Sequence, residues 1–313
     1  MRWNDRIGRR IKLSDLHILL AVAQSGSMSK AANELAVSHP VVSRSIAVLE
    51  HTLGVRLLER NSNGVELTEY GRALLHRSHA AFDELRQGVK DIEFLADPTA
   101  GELRIGCPET VAAGPVLAVI DRLTQRHPRI VFHVVTAAGP PLYRDLMERN
   151  VELAMSLVTG AELGTDIVVE NLFDDYFVIV AGSENPWNRR RKIELAELVN
   201  EAWTLLPSDS VASAVVAEAF RARGIEPPRT TVITPSLNLR NRLLATGRFL
   251  TVLPRFALLL PSKHPSLKAL PVEFPNAPRT TAILTLRNRM LSPLAKLFID
   301  TAHVIVKPLV DRR

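Results

Sequence analysis

The residues best suited to chemistry form a short run near residue 40, where small, polar and cationic side chains precede an apolar repeat. Short side chains let a helix approach base pairs closely in a major groove, and an arginine can donate two hydrogen bonds to a guanine edge. We therefore predict that this run reads DNA bases. The side chains predicted to lie near base edges are His39, Val41, Ser43 and Arg44.

Two helices joined by a tight turn are predicted to position these side chains. The first runs from about Met28 to Ala36 with Ser27 as its N-cap, and the second opens at Pro40 and ends at Gly54. An ordinary helical hairpin with a solvated Arg44 is the alternative interpretation. The apolar stripe predicted for the second helix is Val42, Ile46, Leu49 and Leu53.

The flanking segments favour a winged helix-turn-helix. A third helix is predicted from Leu13 to Gln24, and residues 57–68 have the pattern of a short β-hairpin around an Asn- and Gly-rich turn. Through Val65 the chain has nine Lys and Arg against five Asp and Glu, so this end carries +4 of a net charge of +6. Such an excess attracts phosphates. The predicted phosphate contacts are Ser29, Lys30 and Arg60.

Many positions in this region match one known pattern in the same order. They are Leu16, Gly26, Ser27, Ala31, Ala32, Asn33, Glu34, Leu35, Ser38, Pro40, Val42, Ser43, Arg44, Ile46, Leu49, Glu50, Leu53, Gly54, Leu57, Leu58, Arg60, Leu67, Thr68 and Gly71. The run resembles the LysR-type transcriptional regulators. It departs from them at His39, where Gln is usual, and at Asn63, where many members have Arg. The resemblance implies a winged helix-turn-helix domain over residues 11–68 that binds an inverted repeat in double-stranded DNA.

One long helix is predicted to follow, over residues 69–97. Apolar residues recur there at alternating three- and four-residue steps, which is typical of a coiled-coil seam. Packing of this helix on its own domain is the alternative. The resemblance implies that the helix links two domains and forms a homodimer, and that two dimers form a homotetramer. The predicted seam residues are Leu75, Phe82, Leu85, Val89 and Ile92.

Strands alternate with helices from residue 101 to residue 308, so the C-terminal region is predicted to be α/β with largely parallel sheets. The resemblance implies a two-lobed, periplasmic-binding-protein-like effector domain. We expect lobe one to contain residues 101–166 and 274–308, and lobe two residues 167–273. The chain would then cross between the lobes near 165–170 and 268–275, and Phe298 and Ile299 would pack on lobe one.

Polar residues follow several predicted strands, where helix N-termini offer free N–H groups to a ligand. The predicted effector-binding residues are Glu109, Thr110, Ser156, Ser208, Asp209, Ser210 and Ser236. The alternative is that these Ser, Thr and Asp residues only cap helices. Glu109 would disfavour an anionic effector unless its carboxylate points away or meets a cation.

Other classes of protein fit less well. The sequence contains no P-loop, GxSxG or HExxH motif and no GxGxxG after a strand, so we do not expect an enzyme. The single cysteine, Cys107, excludes an intrachain disulfide and a Cys-rich zinc site, and we favour a structural role for it over a redox role.

No cofactor, metal or membrane segment is predicted, and the absence of a signal-peptide core favours the cytoplasm. A small molecule of unknown identity remains the expected effector. A DNA-binding regulator that ignores small molecules stays an alternative, as does a solute-binding protein.

Overall fold

Three helices and a two-stranded hairpin form the N-terminal domain of the computed structural model, which describes residues 10–61, 64–158, 163–260 and 266–310. The predicted caps are confirmed: the Ser27 hydroxyl accepts a hydrogen bond from the Lys30 N–H (3.4 Å), and Gly54 is left-handed with φ 75°. The elements are α1 (Leu13–Ser25), α2 (Met28–Glu34), α3 (His39–Leu53), β1 (Leu58–Asn61) and β2 (Gly64–Leu67).

Helix boundaries in this domain differ slightly from the prediction. Helix α2 ends at Glu34 rather than Ala36, because Ala36 adopts a left-handed conformation with φ 52°. Helix α3 begins at His39, with Ser38 as its N-cap. The predicted apolar stripe is confirmed, since Val42, Ile46 and Leu49 are buried in one cluster with residues of α1 and α2.

Hydrogen bonds donated by backbone N–H groups of the hairpin fix it on the helices. The Glu50 carboxylate of α3 accepts from the Leu57 N–H (2.8 Å) and the Leu58 N–H (3.2 Å), where β1 begins. The Val65 N–H of β2 donates to the Gly26 carbonyl (3.0 Å) in the turn between α1 and α2. The wing therefore has a defined position relative to α3.

A helix of 28 residues, α4 (Glu69–Ala96), follows the wing. The Thr68 hydroxyl accepts from the Gly71 N–H (3.0 Å) and so caps its first turn. The chain divides into two compact units, Met1–Val89 and Lys90–Arg313, so α4 passes from one unit to the other.

Lobe one is built on a five-stranded sheet with the order β4-β3-β5-β12-β6. Strand β3 is parallel to both its neighbours, and β12 is antiparallel to both of its own. Phe298 and Ile299 are buried in its core, as predicted. The elements are β3 (Ala100–Cys107), α5 (Glu109–Val111), a π-helical turn (Ala112–Val116), α6 (Leu117–Arg126), β4 (Arg129–Thr136), α7 (Pro140–Met147), β5 (Leu153–Val158), β6 (Ile167–Asp175), β12 (Arg279–Leu286) and α10 (Pro293–Val310).

Lobe two has its own five-stranded sheet, with the order β11-β7-β10-β8-β9. Strands β8, β9 and β10 are parallel, whereas β7 is antiparallel to β10 and β11. The buried Trp203 and Phe220 rings pack edge to face in its core. The elements are β7 (Phe177–Gly182), β8 (Ala202–Leu205), α8 (Val211–Arg221), β9 (Thr230–Ile233), α9 (Leu237–Ala245), β10 (Phe249–Pro254) and β11 (Leu267–Ala269), with 3₁₀ turns at Pro186–Arg189, Leu195–Leu198 and Arg255–Leu258.

Both crossings between the lobes lie later in the chain than predicted. Strand β6, assigned to lobe two by the prediction, pairs along its length with β12 in the sheet of lobe one. The first crossing is therefore at Tyr176, between β6 and β7. The second lies between Phe274, which packs on the core of lobe two, and Arg279, which begins β12.

Candidate nucleic-acid interface and effector cleft

The N-terminal half of α3 presents a small polar surface to solvent. His39 and Arg44 are exposed, Val41 is 45% exposed and Ser43 is half-buried. The opposite face of the helix is buried, because Val42, Ile46 and Leu49 pack in the domain core. The four predicted base-reading side chains thus share the accessible part of one helix, with short side chains around a single arginine.

The predicted phosphate contacts can be located only in part. Ser29 and Lys30 are exposed in the first turn of α2. Arg60 belongs to β1, but its side chain lies outside the described residues, as does Asn63. These three phosphate contacts remain predictions.

The predicted seam of α4 divides into two parts. The Phe82 ring contacts the His17 ring of α1 at a centroid distance of 5.7 Å, and Leu75 packs partly against the core of the N-terminal domain. In contrast, Leu85, Val89 and Ile92 are 51%, 57% and 68% exposed. The first part therefore follows the alternative interpretation, packing on its own domain, and the second is an uncovered apolar stripe.

The two lobes are joined by a direct contact between two predicted effector-binding segments. Glu109 follows β3 of lobe one, and its carboxylate accepts a hydrogen bond from the Leu237 N–H of lobe two. Leu237 is the first residue of α9, directly after Ser236. The carboxyl end of β3 and the N-terminus of α9 therefore meet across the space between the lobes.

A buried arginine that the sequence analysis missed lies beside this contact. Arg240, in the first turns of α9, is only 1% exposed. Its burial lowers the pKa of the guanidinium, and the negative charge of Glu109 partly opposes that shift. The Glu109 carboxylate thus meets a cation, Arg240, as well as a helix N-terminus. This satisfies one of the two conditions under which Glu109 does not disfavour an anionic effector. Nothing local in the sequence around Arg240 indicates its burial.

The other predicted effector residues have more ordinary surroundings. Ser236 and Ser210 cap their helices, accepting from the Leu239 N–H (3.3 Å) and the Ser213 N–H (3.2 Å), as the alternative interpretation requires. Ser208 and Asp209 are exposed, and Thr110 is half-buried. Ser156 is buried within β5, where its hydroxyl donates to the Leu157 carbonyl (3.3 Å). Among the seven residues, Glu109 of lobe one is hydrogen-bonded to the N-terminus of α9, where Ser236 is the N-cap.

Cys107 is fully buried at the end of β3. Burial raises the pKa of its thiol to about 12, so the reactive thiolate is strongly disfavoured. This environment fits the structural role that we favoured for Cys107.

Two family models together cover most of the chain. The model described as "Bacterial regulatory helix-turn-helix protein, lysR family" matches residues 13–72, and the model described as "LysR substrate binding domain" matches residues 96–304. The chain belongs to the LysR family. It is therefore a transcriptional regulator with an N-terminal helix-turn-helix and a C-terminal substrate-binding domain.

Individual LysR-type relatives align over nearly their whole length. The uncharacterized HTH-type transcriptional regulator YdcI of Escherichia coli K12 is 25% identical over 300 residues, which is 96% of this chain and 97% of YdcI. The transcriptional dual regulator GltC of Bacillus subtilis is 26% identical over 290 residues, 93% of this chain and 96% of GltC. These relatives are regulators rather than enzymes.

Solved structures show the same fold. Full-length OxyR of Pseudomonas aeruginosa superposes with a TM-score of 0.66 at 24% identity, covering 94% of this chain and 95% of OxyR. CbnR, a LysR family transcriptional regulator, gives a TM-score of 0.63 at 20% identity, covering 95% of this chain and 99% of CbnR. The predicted combination of a helix-turn-helix with a two-lobed α/β effector domain is thus confirmed.

Two further observations concern the described part of the chain. None of its helices has the length and apolar character needed to cross a membrane. It also contains no group of three or more His, Cys, Asp or Glu side chains arranged to hold a metal ion.

Proposed function

We propose that this LysR-type regulator acts in the cytoplasm as a homodimer, or as a pair of dimers, that reads an inverted-repeat operator with α3. The observation that carries this proposal is the exposed surface around Arg44, where short side chains leave the guanidinium accessible at the N-terminal half of a well-anchored helix. A short, accessible helix face with one arginine suits a major groove. His39, Val41 and Ser43 would lie near the same base edges.

Dimerisation through α4 would allow the protein to bind both halves of an inverted repeat. The uncovered stripe of Leu85, Val89 and Ile92 is costly to leave in water, because each buried aliphatic side chain contributes about 1.5–3 kcal/mol. Pairing with a second copy would cover the stripe and present two recognition helices to two half-sites. Residues 11–68 would bind DNA and residues 69–97 would link and dimerise.

The effector would bind between the lobes of the C-terminal domain, with no resident cofactor. The Glu109 carboxylate of lobe one contacts the N-terminus of α9 in lobe two, and Phe256, which follows β10 of lobe two, packs in the core of lobe one. A ligand with different affinities for two lobe arrangements would shift the equilibrium between them. That shift is the physical basis of a response to a small molecule.

The test is a fluorescence anisotropy titration of the full-length protein. Labelled DNA from upstream of its own gene and an unrelated duplex of equal length would be compared at 50 and 200 mM salt, concentrations over which nonspecific phosphate contacts lose about 10³–10⁵ in affinity. We expect a preference for the upstream DNA that persists at the higher salt. Equal, steeply salt-dependent binding to both duplexes would contradict specific reading of that DNA.

A further inference from the structure

The contact between the lobes resembles an anion-binding site in which the bound anion is a carboxylate of the protein itself. The Glu109 carboxylate lies at the N-terminus of α9, a helix of nine residues, and accepts from the Leu237 N–H. Helix N-termini stabilise negative charge through their free N–H groups and the helix dipole. A carboxylate at this position is thus favoured, even though Glu109 comes from the other lobe.

Arg240 provides a second, independent observation, because it has buried N–H donors that could bind an anion. Its side chain is almost fully buried, yet Nε and Nη1 have no hydrogen-bond acceptor among the residues that the structure describes. A buried donor without an acceptor costs about 1–3 kcal/mol, and more when the group is charged. The proximity of Glu109 compensates the charge of Arg240, but these guanidinium donors stay unpaired.

We propose that Glu109 is an internal anion that holds the lobes together without effector, and that the effector carries a carboxylate or phosphate group which replaces it. The effector oxyanion would accept from the α9 N-terminus and from Arg240. This inference rests on the proposed function, because it concerns the same space between the lobes. It adds the chemical class of the effector and the contact that the effector breaks.

Electrostatics favours exchange over simultaneous binding. Two anions at one helix N-terminus repel each other, whereas one anion balances the buried guanidinium. Glu109 is only half-buried, so its carboxylate can turn towards water when a ligand oxyanion enters. A cationic effector is disfavoured, because Arg240 and the helix N-terminus already make the surroundings of Glu109 positive.

The experiment compares wild-type protein with Glu109→Gln, which keeps the side-chain shape and removes the competing charge. Binding to the full-length protein would be measured from thermal shifts with succinate and inorganic phosphate as probes. Succinamide serves as the neutral probe, and sodium chloride matches the ionic strength. The control is Glu226→Gln, the same change of charge at an exposed position in lobe two.

We expect Glu109→Gln to bind at least one of the two anionic probes about tenfold more tightly than wild type, because the competing internal anion no longer has to be displaced. The control should bind like wild type, and succinamide should bind equally to all three proteins. Arg240→Met in the Glu109→Gln background should abolish the gain. If that double variant does not fold, the single variant still decides the question.

Equal anion binding by wild type and Glu109→Gln, including no binding by either, would overturn the inference. So would weaker anion binding by Glu109→Gln. The proposed function is judged separately, from specific DNA binding by the wild-type protein, so a regulator with a different class of effector would be recognised as such.

Discussion

Gly71 of α4 lies against the backbone of Leu57, so closely that a Cβ at position 71 would overlap the Leu57 carbonyl oxygen. The same Cβ would be 2.9 Å from a methyl carbon of Leu67. Leu57 directly precedes β1 of the wing and Gly71 lies in the first turn of α4. The contact between them requires glycine for steric reasons. It places the wing and the long helix in one tightly packed unit.

Gly71→Ala is therefore expected to destabilise the N-terminal domain by about 1–3 kcal/mol, the usual cost of forcing an extra carbon into a packed site. Hydrogen exchange of the full-length protein, followed in peptides from α3, should show faster exchange. The matched control is Gly88→Ala in the same helix, where an added Cβ meets nothing within 4 Å. That change should stabilise the helix by roughly 0.5–1 kcal/mol. Equal effects of the two changes would contradict the steric explanation.

Arg44→Ala is expected to weaken binding to the specific operator by about 1–3 kcal/mol without lowering stability, because the side chain is exposed. The measurement is the anisotropy titration described above, with binding to the unrelated duplex recorded as well. Arg126→Ala, which removes an exposed arginine of α6 in lobe one, is the control. Unchanged operator affinity of Arg44→Ala would show that Arg44 does not read bases.

Leu85→Ser tests the uncovered stripe on α4. Removing an aliphatic side chain from a buried seam should raise the dimer dissociation constant at least about tenfold. Sedimentation equilibrium over a range of protein concentrations measures it. The neighbouring exposed residue provides the control Arg86→Ser, which should leave the constant unchanged. Leu85 is a cleaner target than Phe82, whose ring also contacts His17. An intact dimer in Leu85→Ser would refute the seam.

Cys107 should not react with thiol reagents in the folded protein. Its pKa is raised to about 12 from an ordinary value of 9.0, so at pH 8 the folded protein holds almost no thiolate. Titration with a colourimetric disulfide reagent should give no reaction in buffer and one thiol per chain in guanidinium chloride. The folded state holds this proton more tightly than the unfolded state. Its contribution to stability is therefore complete below pH 9 and lost as the pH rises towards 12. Rapid stoichiometric reaction of the native protein would contradict the burial.

The local part of the fold could be predicted from the sequence because its signals are local. Ser27 and Gly54 mark helix ends by their own chemistry, and the spacing of Val42, Ile46 and Leu49 defines one face of α3. The Gly114-Pro115 pair is also a local signal, and it interrupts the helical region between α5 and α6, because proline cannot donate the hydrogen bond of a helix interior and Gly114 has non-helical dihedrals.

Pairing and burial over long sequence distances could not be predicted. Strand β6 belongs to lobe one only because it pairs with β12, about a hundred residues later, and no pattern within β6 records that partner. Arg240 has the sequence context of a solvated helix residue, and its burial follows from tertiary packing. Thus Glu109 and Ser236 could be proposed separately as site residues, while the contact that joins their segments could not.

The position of β12 between β5 and β6 has a consequence for the order of events during synthesis. Strand β6 leaves the ribosome before any residue of lobe two, and β12 leaves after all of them. During that interval β5 and β6 both lack the strand that separates them in the finished sheet, and unpaired strand edges invite association with other chains. Lobe two can complete its sheet first, and lobe one completes its own sheet only after β12 has emerged.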